Sequence, residues 1–382
     1  MNTNIDIQSL QDIPTPFYLY DEKLLRATLQ SLCGEASKHE GYIVHYAVKA
    51  NTNPQILRII NEYGIGIDCV SGGEIQAALA AGFEPSKIVY AGVGKSDWEI
   101  ELGLQAGIFC FNVESVPELE VIEEIAARLG VNTNVCFRIN PEVGAHTHHN
   151  IATGNAEDKF GIAMSDMESV IRRAQSLPHI HFLGLHFHIG SQILDMTDFE
   201  DLCWRINKLQ VQLDAAGISL EVINVGGGLG IDYNNPDDHP VPDFQRFFDT
   251  YARHLQLRPG QTLHFELGRS IVAQCGSLLT RVLYVKQGSV KKFVIVDAGM
   301  TDLIRPALYD AHHAIENLTP HEGTEIYDVV GPICESSDVF DKDMQLPTTL
   351  RGDLLAIRSA GAYGEIMASG YNCRPLPKGY LK

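Results

Sequence analysis

A chain of 382 residues, 45% hydrophobic and 20% charged, has the balance of an ordinary globular protein, long enough for two domains or for one large barrel plus a smaller unit. Its net charge of −19 speaks against nucleic acid or an anionic membrane as partner, but leaves small anions open to local positive groups. No apolar run approaches the roughly 18 residues of a membrane span. The first residues lack the basic and apolar regions of a signal peptide, and the 8 cysteines include no Cys-x-x-Cys pair, so the expected compartment is the cytoplasm.

In chain order, Pro14–Tyr20 reads as a short extended segment and Asp21–Ser37 as a helix. Tyr42 to Lys49 is an apolar, β-branched and aromatic run that ends on a lysine, followed by turn and helix-start residues, Ala50-Asn-Thr-Asn-Pro54. Further strands are expected at Gly66–Val70, Ile88–Ala91, Ile108–Val113, Asn134–Asn140, Ile180–His188, Glu221–Val225 and Thr262–Leu267. Amphipathic stretches lie between them, at Glu74–Ala81, Trp98–Ala106, Val116–Leu129, Asp166–Gln175 and Asp198–Ala216. About eight βα units imply a (β/α)₈ barrel over residues 21–268. After Gly268 strands dominate: Ser277–Lys286, Lys291–Asp297, Thr324–Val330 and Asp353–Ser359. Residues 269–382 therefore read as a β-barrel or sandwich domain, to which the N-terminal segment, residues 1–20, adds a strand. Pro141–Lys159 is the least regular segment. Its His146, His148 and His149 have no matching carboxylate or cysteine geometry, and no metal role is assigned to them.

Active sites in such barrels gather at the carboxyl ends of the strands. Lys49 ends the first, Asp68 the second, and Arg138 lies on the fifth. His186-Phe-His188-Ile-Gly-Ser191 ends the sixth, Gly226-Gly-Gly228 the seventh, and Glu266-Leu-Gly268-Arg269 the eighth. Each has a bland reading when taken alone: a lysine snorkelling from a strand end, a core histidine, a tight glycine turn. Together, an amine, a glycine-rich cradle for phosphate and an acid suggest pyridoxal phosphate. That cofactor needs an amine for its Schiff base, a phosphate grip, and a carboxylate to keep its ring nitrogen protonated.

The motifs Tyr46-Ala-Val-Lys49-Ala-Asn51, Asp68-Cys-Val-Ser-Gly-Gly-Glu74, His186-Phe-His-Ile-Gly-Ser-Gln192, Gly226-Gly-Gly228 and Glu266-Leu-Gly-Arg269 resemble those of the fold-type III pyridoxal phosphate decarboxylases, in the family's order. Arg305-Pro-Ala-Leu-Tyr309, Gly331-Pro-Ile-Cys334-Glu335, Gly361-Ala-Tyr363-Gly364 and Glu157-Asp-Lys-Phe-Gly161 are similar to the branch acting on meso-diaminopimelate. The resemblance runs from Pro16 to about Tyr371. It implies Lys49 as the Schiff-base lysine, His188 stacked on the ring, and Glu266 on the pyridine nitrogen. Asp68 would belong to the cofactor site, with phosphate contacts from Ser191, Gly228, Gly268, Arg269 and Tyr363.

Cys334 would be the catalytic thiol and Glu335 the partner of the distal amine. Arg269, Arg305 and Tyr309 would hold the distal carboxylate, with Tyr363 also near the substrate. The carbon that loses CO₂ would have D configuration. The resemblance further implies a homodimer with composite active sites, the Cys334-Glu335 loop reaching the neighbour. One departure is Leu267, where relatives carry proline, which would leave this tip less rigid. Arg305, read by spacing alone, is equally a surface arginine. The competing readings are a decarboxylase acting on arginine, ornithine or carboxynorspermidine, and a non-catalytic regulatory relative.

Overall fold

The computed structural model describes Leu10 and residues 12–141, 159–319 and 321–382. The histidines of the 141–159 segment and the Glu157-Asp158 part of its motif lie outside the described residues. The described chain forms two compact units. One is drawn from Leu29–Gly230 and Asp243–Gly268, the other from the residues up to Thr28, Ile231–Pro242 and Arg269–Lys382. The stretch Ile231–Pro242, inside the expected barrel range, clusters with the second unit.

A short strand, β1 (Phe17–Tyr20), precedes helix α1 (Glu22–Ala36), and the barrel follows. Its staves are β2 (Tyr42–Ala47), β3 (Gly66–Cys69), β4 (Ile88–Tyr90), β5 (Cys110–Val113), β6 (Thr133–Arg138), β7 (Ile180–His186), β8 (Val222–Asn224) and β9 (Thr262–Leu267). Each pairs in parallel with the next, and β9 closes the circle on β2. The intervening helices are α2 (Pro54–Glu62), α3 (Gly72–Ala80), α4 (Asp97–Ala106), α5 (Val116–Leu129), α6 (Met167–Gln175), α7 (Met196–Ala215) and α8 (Phe244–His254).

Local chemistry starts these helices. Asn53 caps α2 by accepting from the Gln55 N–H, with Pro54 in the first turn, where its missing N–H costs nothing. Ser115 does the same for α5 and Asp243 for α8. Helix α8 was absent from the expected elements, although Phe244, Phe247, Phe248 and Tyr251 recur at helical spacing. Three of these rings, Phe247, Phe248 and Tyr251, close on Phe265 of β9 at 5.0–5.6 Å between centroids. Inside the barrel, Val89, Cys110, Cys136, Leu183 and Val222 form one core cluster.

The second unit is built on β10 (Gly276–Gln287), β11 (Lys292–Val296), β12 (Ile315–Asn317), β13 (Thr324–Val330), β14 (Val339–Pro347), β15 (Leu354–Ile357) and β16 (Lys378–Leu381), with short helices α9 (Arg269–Val272) and α10 (Arg305–Tyr309). Its sheet runs in the order β12-β15-β10-β11-β13-β14, and the N-terminal β1 pairs with both β10 and β16. Strands β12, β14 and β16 are additional to those expected. No helix among the described residues is long and apolar enough to cross a membrane.

Candidate active site

The barrel places its chemistry just beyond the strand ends. Lys49 does not end β2 as expected. It sits in a single 3₁₀ turn, Val48–Ala50, immediately after it. The Tyr46 hydroxyl donates to the Asn51 carbonyl at 2.8 Å, and Asn51 Oδ1 accepts from the Asn53 N–H at 2.8 Å, so the turn is fixed on its far side. Lys49 Nζ lies 3.6 Å from Oδ2 of Asp68, which is fully buried on β3. Neither Asp68 oxygen has a hydrogen-bond partner among the described residues. Burial, with help from Glu266 and Glu74, pushes the Asp68 carboxyl up against the opposing pull of Lys49.

Glu266, near the end of β9, accepts three hydrogen bonds. Its Oε1 accepts from Asn224 at 2.7 Å and from Asn112 at 3.1 Å, and its Oε2 from His186 Nε2 at 3.1 Å. Burial opposes its ionisation, but His186, Lys49 and Asn224 outweigh that and hold the carboxyl well below the usual carboxylate range. Sequence reasoning passed over Asn112 and Asn224. The available signal was a lone amide inside each of the apolar runs Cys110–Val113 and Val222–Asn224. Leu267, the proline replacement, is buried as the last rung of β9, paired with Tyr46.

His188 is half-buried just past β7. Burial, with the positive charges of Arg138 and Lys49, drives its imidazole well below its ordinary pKa, so it is neutral. Its Nδ1 accepts from the Gly227 N–H at 3.4 Å. The β7 and β8 tips are laced together: Ile193 N–H donates to the Gly228 carbonyl at 2.8 Å, and Gly230 N–H to the Ile193 carbonyl at 2.9 Å. This brings Ser191 and Gly228 onto adjoining tips. A side chain at Gly227 would put its Cβ 2.0 Å from the Glu266 carbonyl oxygen, so only glycine lets these backbones approach. Gly268 follows β9, against Ala47 and Ala50 at the Lys49 turn.

The second unit gathers a different chemistry. Arg269 and Arg305 are both buried, the latter 5% exposed, which removes the surface-arginine reading. Arg269 Nη1 donates to the Tyr233 hydroxyl at 2.7 Å, and its guanidinium lies 4.8 Å from the Tyr363 ring centre. The Arg305 guanidinium lies 4.6 Å from the Tyr233 ring centre, and its Nη1 donates to His313 Nε2 at 2.7 Å. His313 in turn donates from Nδ1 to the Arg358 carbonyl at 2.8 Å. Burial, with the Arg305 charge beside it, drives its pKa down to about 3, so a neutral ring is all that answers Arg305 there. Arg305 Nε has no partner among the described residues. Burial and the charge of Arg269 lower the pKa of Arg305, while Tyr233, Tyr363 and Tyr309 act on it in the opposite sense. Tyr233 had no sequence signal, because it arrives from the Ile231–Pro242 stretch. Tyr363 adopts a left-handed backbone conformation, φ 57°, uncommon for a bulky residue and typical of functional sites.

Cys334 and Glu335 are exposed on a loop of the second unit. The Cys334 N–H donates to Asn372 Oδ1 at 3.1 Å, and the Tyr371 hydroxyl donates to Glu335 Oε1 at 2.8 Å. The Asp338 carboxylate anchors the loop by accepting from the Ile333 and Met300 N–H groups, each at 2.6 Å.

A pyridoxal group requires a primary amine, an anionic carboxylate for its ring nitrogen and backbone N–H groups for its phosphate. The barrel unit offers Lys49, Glu266 and the laced β7 and β8 tips. Asp68 adds a buried carboxyl with unmet hydrogen-bonding capacity beside the amine. The residues present fit the group.

Comparison with known proteins agrees with this chemistry. The family profile for the pyridoxal binding domain of pyridoxal-dependent decarboxylases matches residues 26–273. A diaminopimelate decarboxylase of Bacteroides thetaiotaomicron is 66% identical over 374 residues, covering 98% of this chain and 97% of its relative. One from Helicobacter pylori is 46% identical, covering 96% and 89%. The crystal structure of the Helicobacter pylori diaminopimelate decarboxylase complexed with L-lysine superposes with a TM-score of 0.92 at 43% identity, covering 98% of this chain and 93% of that one. The chain belongs to the pyridoxal-dependent decarboxylases.

Proposed function

We propose that this enzyme decarboxylates meso-2,6-diaminopimelate, releasing one carboxyl group as CO₂ and leaving L-lysine. The observation that carries the substrate reading is the buried pair Arg269 and Arg305 around Tyr233. Two guanidinium groups out of water call for an anion, and Arg305 meets only a neutral histidine at its Nη1. A substrate ending in an amine alone would leave that charge unanswered, at a cost on the order of 2–5 kcal/mol. A substrate ending in an amino acid group supplies the missing carboxylate. The diaminopimelate decarboxylases that resemble the chain over nearly its whole length support the same choice.

In this reading Arg269, Arg305 and Tyr309 hold the distal carboxylate and Glu335 the distal amine. Lys49 provides the amine that holds the cofactor, while Ser191, Gly228, Gly268, Arg269 and Tyr363 serve its phosphate. His188, being neutral, lies against the ring without adding charge. When bound, pyridoxal phosphate supplies an electron sink for the pair left behind as CO₂ departs. Glu266, kept anionic by Asn112, Asn224 and His186, holds a proton at the ring nitrogen. Cys334 carries on Sγ the proton that replaces CO₂ on the α-carbon.

The Cys334-Glu335 loop acts in the site of a second copy, making the functional unit a homodimer. We place the enzyme in the cytoplasm, in keeping with eight cysteines that are all free thiols.

The test is CO₂ release by the holoenzyme from meso-diaminopimelate, ornithine and lysine. Arg305→Ala should raise KM for meso-diaminopimelate at least about thirtyfold, the lower end of that cost range, with cofactor content unchanged. Unchanged KM, or equal turnover of ornithine by the native enzyme, sinks the substrate reading.

A further inference from the structure

Strands β2 and β9 carry chemistry at one end and a cavity at the other. The cavity, about 390 Å³ and mainly apolar, lies where β2, β3, β4, β5 and β9 begin, beside the end of α1. In barrels of this kind the reaction belongs to the opposite rim, so this mouth has no share in the site described above. Its volume falls within the range of small-molecule pockets.

The wall is built around a pile of rings. Phe109 and His264 both line the cavity and stack at 5.5 Å between centroids, 16° apart. His264 stacks in turn on His45 at 5.1 Å and 22°. Every ring nitrogen of the two histidines has a partner. His45 Nδ1 donates to the Lys87 carbonyl at 3.3 Å, His264 Nδ1 donates to His45 Nε2 at 2.9 Å, and the Thr262 hydroxyl donates to His264 Nε2 at 3.1 Å. Space for this arrangement comes from Gly66, where a Cβ would fall 2.3 Å from His45 Nδ1.

The wall offers the partly exposed Phe109 ring, the edge of His264 and hydrocarbon, without an uncompensated charge. Among the described residues Lys87 is the one charged side chain lining it. Its Nζ donates to the Gly64 carbonyl at 3.1 Å and lies 3.7 Å from the Glu84 carboxylate. Among the described residues no carboxylate lines the cavity, so a cation finds no partner, and an anion finds Lys87 already engaged. Gly64 and Ser86 at the edge are exposed, which leaves an entrance from solvent.

We propose that this amino-terminal mouth of the barrel is a second binding site, for an uncharged, flat aromatic molecule of one or two fused rings seated on the Phe109–His264 stack. The geometry asks for offset or edge contact with those rings, the arrangement aromatic pairs favour.

Indole serves as the probe, added to the holoenzyme and followed by saturation-transfer NMR and by competition against benzoate and benzamidine. Indole should bind, with both charged analogues weaker by about tenfold or more. Ser86→Trp and Ile43→Trp, which fill the entrance, should each weaken indole by about tenfold while leaving decarboxylation unchanged. Ser86 is exposed and Ile43 is 38% exposed, so folding is not at stake in either variant. Absence of indole binding overturns the proposal. So does equal binding of the charged analogues, or equal indole binding by both tryptophan variants.

Discussion

Lys49, the amine proposed to hold the cofactor, lies 3.6 Å from the fully buried carboxyl of Asp68. Lys49→Ala should abolish turnover and the visible absorption of the covalently held cofactor. Survival of either removes Lys49 from its role. The buried histidines give a separate, pH-based prediction. Burial drives His45 down to about 4, and burial with His45 as neighbour drives His264 down to about 3. Unfolded, both titrate near about 6.5. Between those values the unfolded chain binds more protons, so stability falls as pH drops below about 6.5, by up to ~1.4 kcal/mol per pH unit for each histidine. Urea unfolding at pH 7, 6 and 5 should show this slope, and His264→Asn should reduce it; equal slopes refute the assignment. Lys49, His188 and Glu266 were legible because they sit at or just past strand ends in recognisable runs. Tyr233, Asn112 and Asn224 were not, since what they touch is decided by strands and loops distant in sequence.

At the scale of elements, the two glycine-bearing tips after β7 and β8, the proposed phosphate cradle, are held together because Ile193 exchanges hydrogen bonds with both Gly228 and Gly230. Gly227→Ala would push its Cβ into the Glu266 carbonyl, a backbone atom that cannot swing aside. The expected result is a loss of roughly 1–3 kcal/mol in stability, together with weakened cofactor retention. Thermal unfolding and cofactor titration read these separately, and a variant with native values in both contradicts the cradle's close packing. The eight barrel strands could be read from β-branched runs alternating with helical periods. The missed elements have physical reasons. Helix α8 follows a Pro- and Asp-rich stretch that masks its aromatic spacing. Strand β12 is three residues long, and β14, Val339–Pro347, has its apolar pattern broken by Asp341-Lys-Asp343 on a partly exposed surface.

For the whole molecule, the proposed sharing of the Cys334 loop between copies is testable without a structure of the dimer. Lys49→Ala and Cys334→Ser should each be nearly inactive alone. Unfolded together and refolded, they should recover roughly a quarter of native activity, because half the dimers would be mixed and each would hold one intact site. No recovery would place Cys334 and Lys49 of one chain in the same site. Barrel followed by β-domain was legible from the change in periodicity after Gly268. The assignment of Ile231–Pro242 to the second unit was not, since its Pro- and Asp-rich composition marks a loop without saying which unit that loop packs on.

Strand β1 also constrains the order in which the chain is assembled during synthesis. Phe17 pairs with Leu279 and with Lys378, and all four β1 residues, Phe-Tyr-Leu-Tyr, are buried in the finished fold. On the ribosome this segment emerges early and waits for β10, on the order of tens of seconds at ordinary elongation rates. Throughout that interval it is an apolar strand with both edges open, the form most prone to pairing with the wrong partner. A nascent chain halted before Gly276 should therefore engage chaperones through residues 17–20, and the full chain, with β10 and β16 both available, should release them.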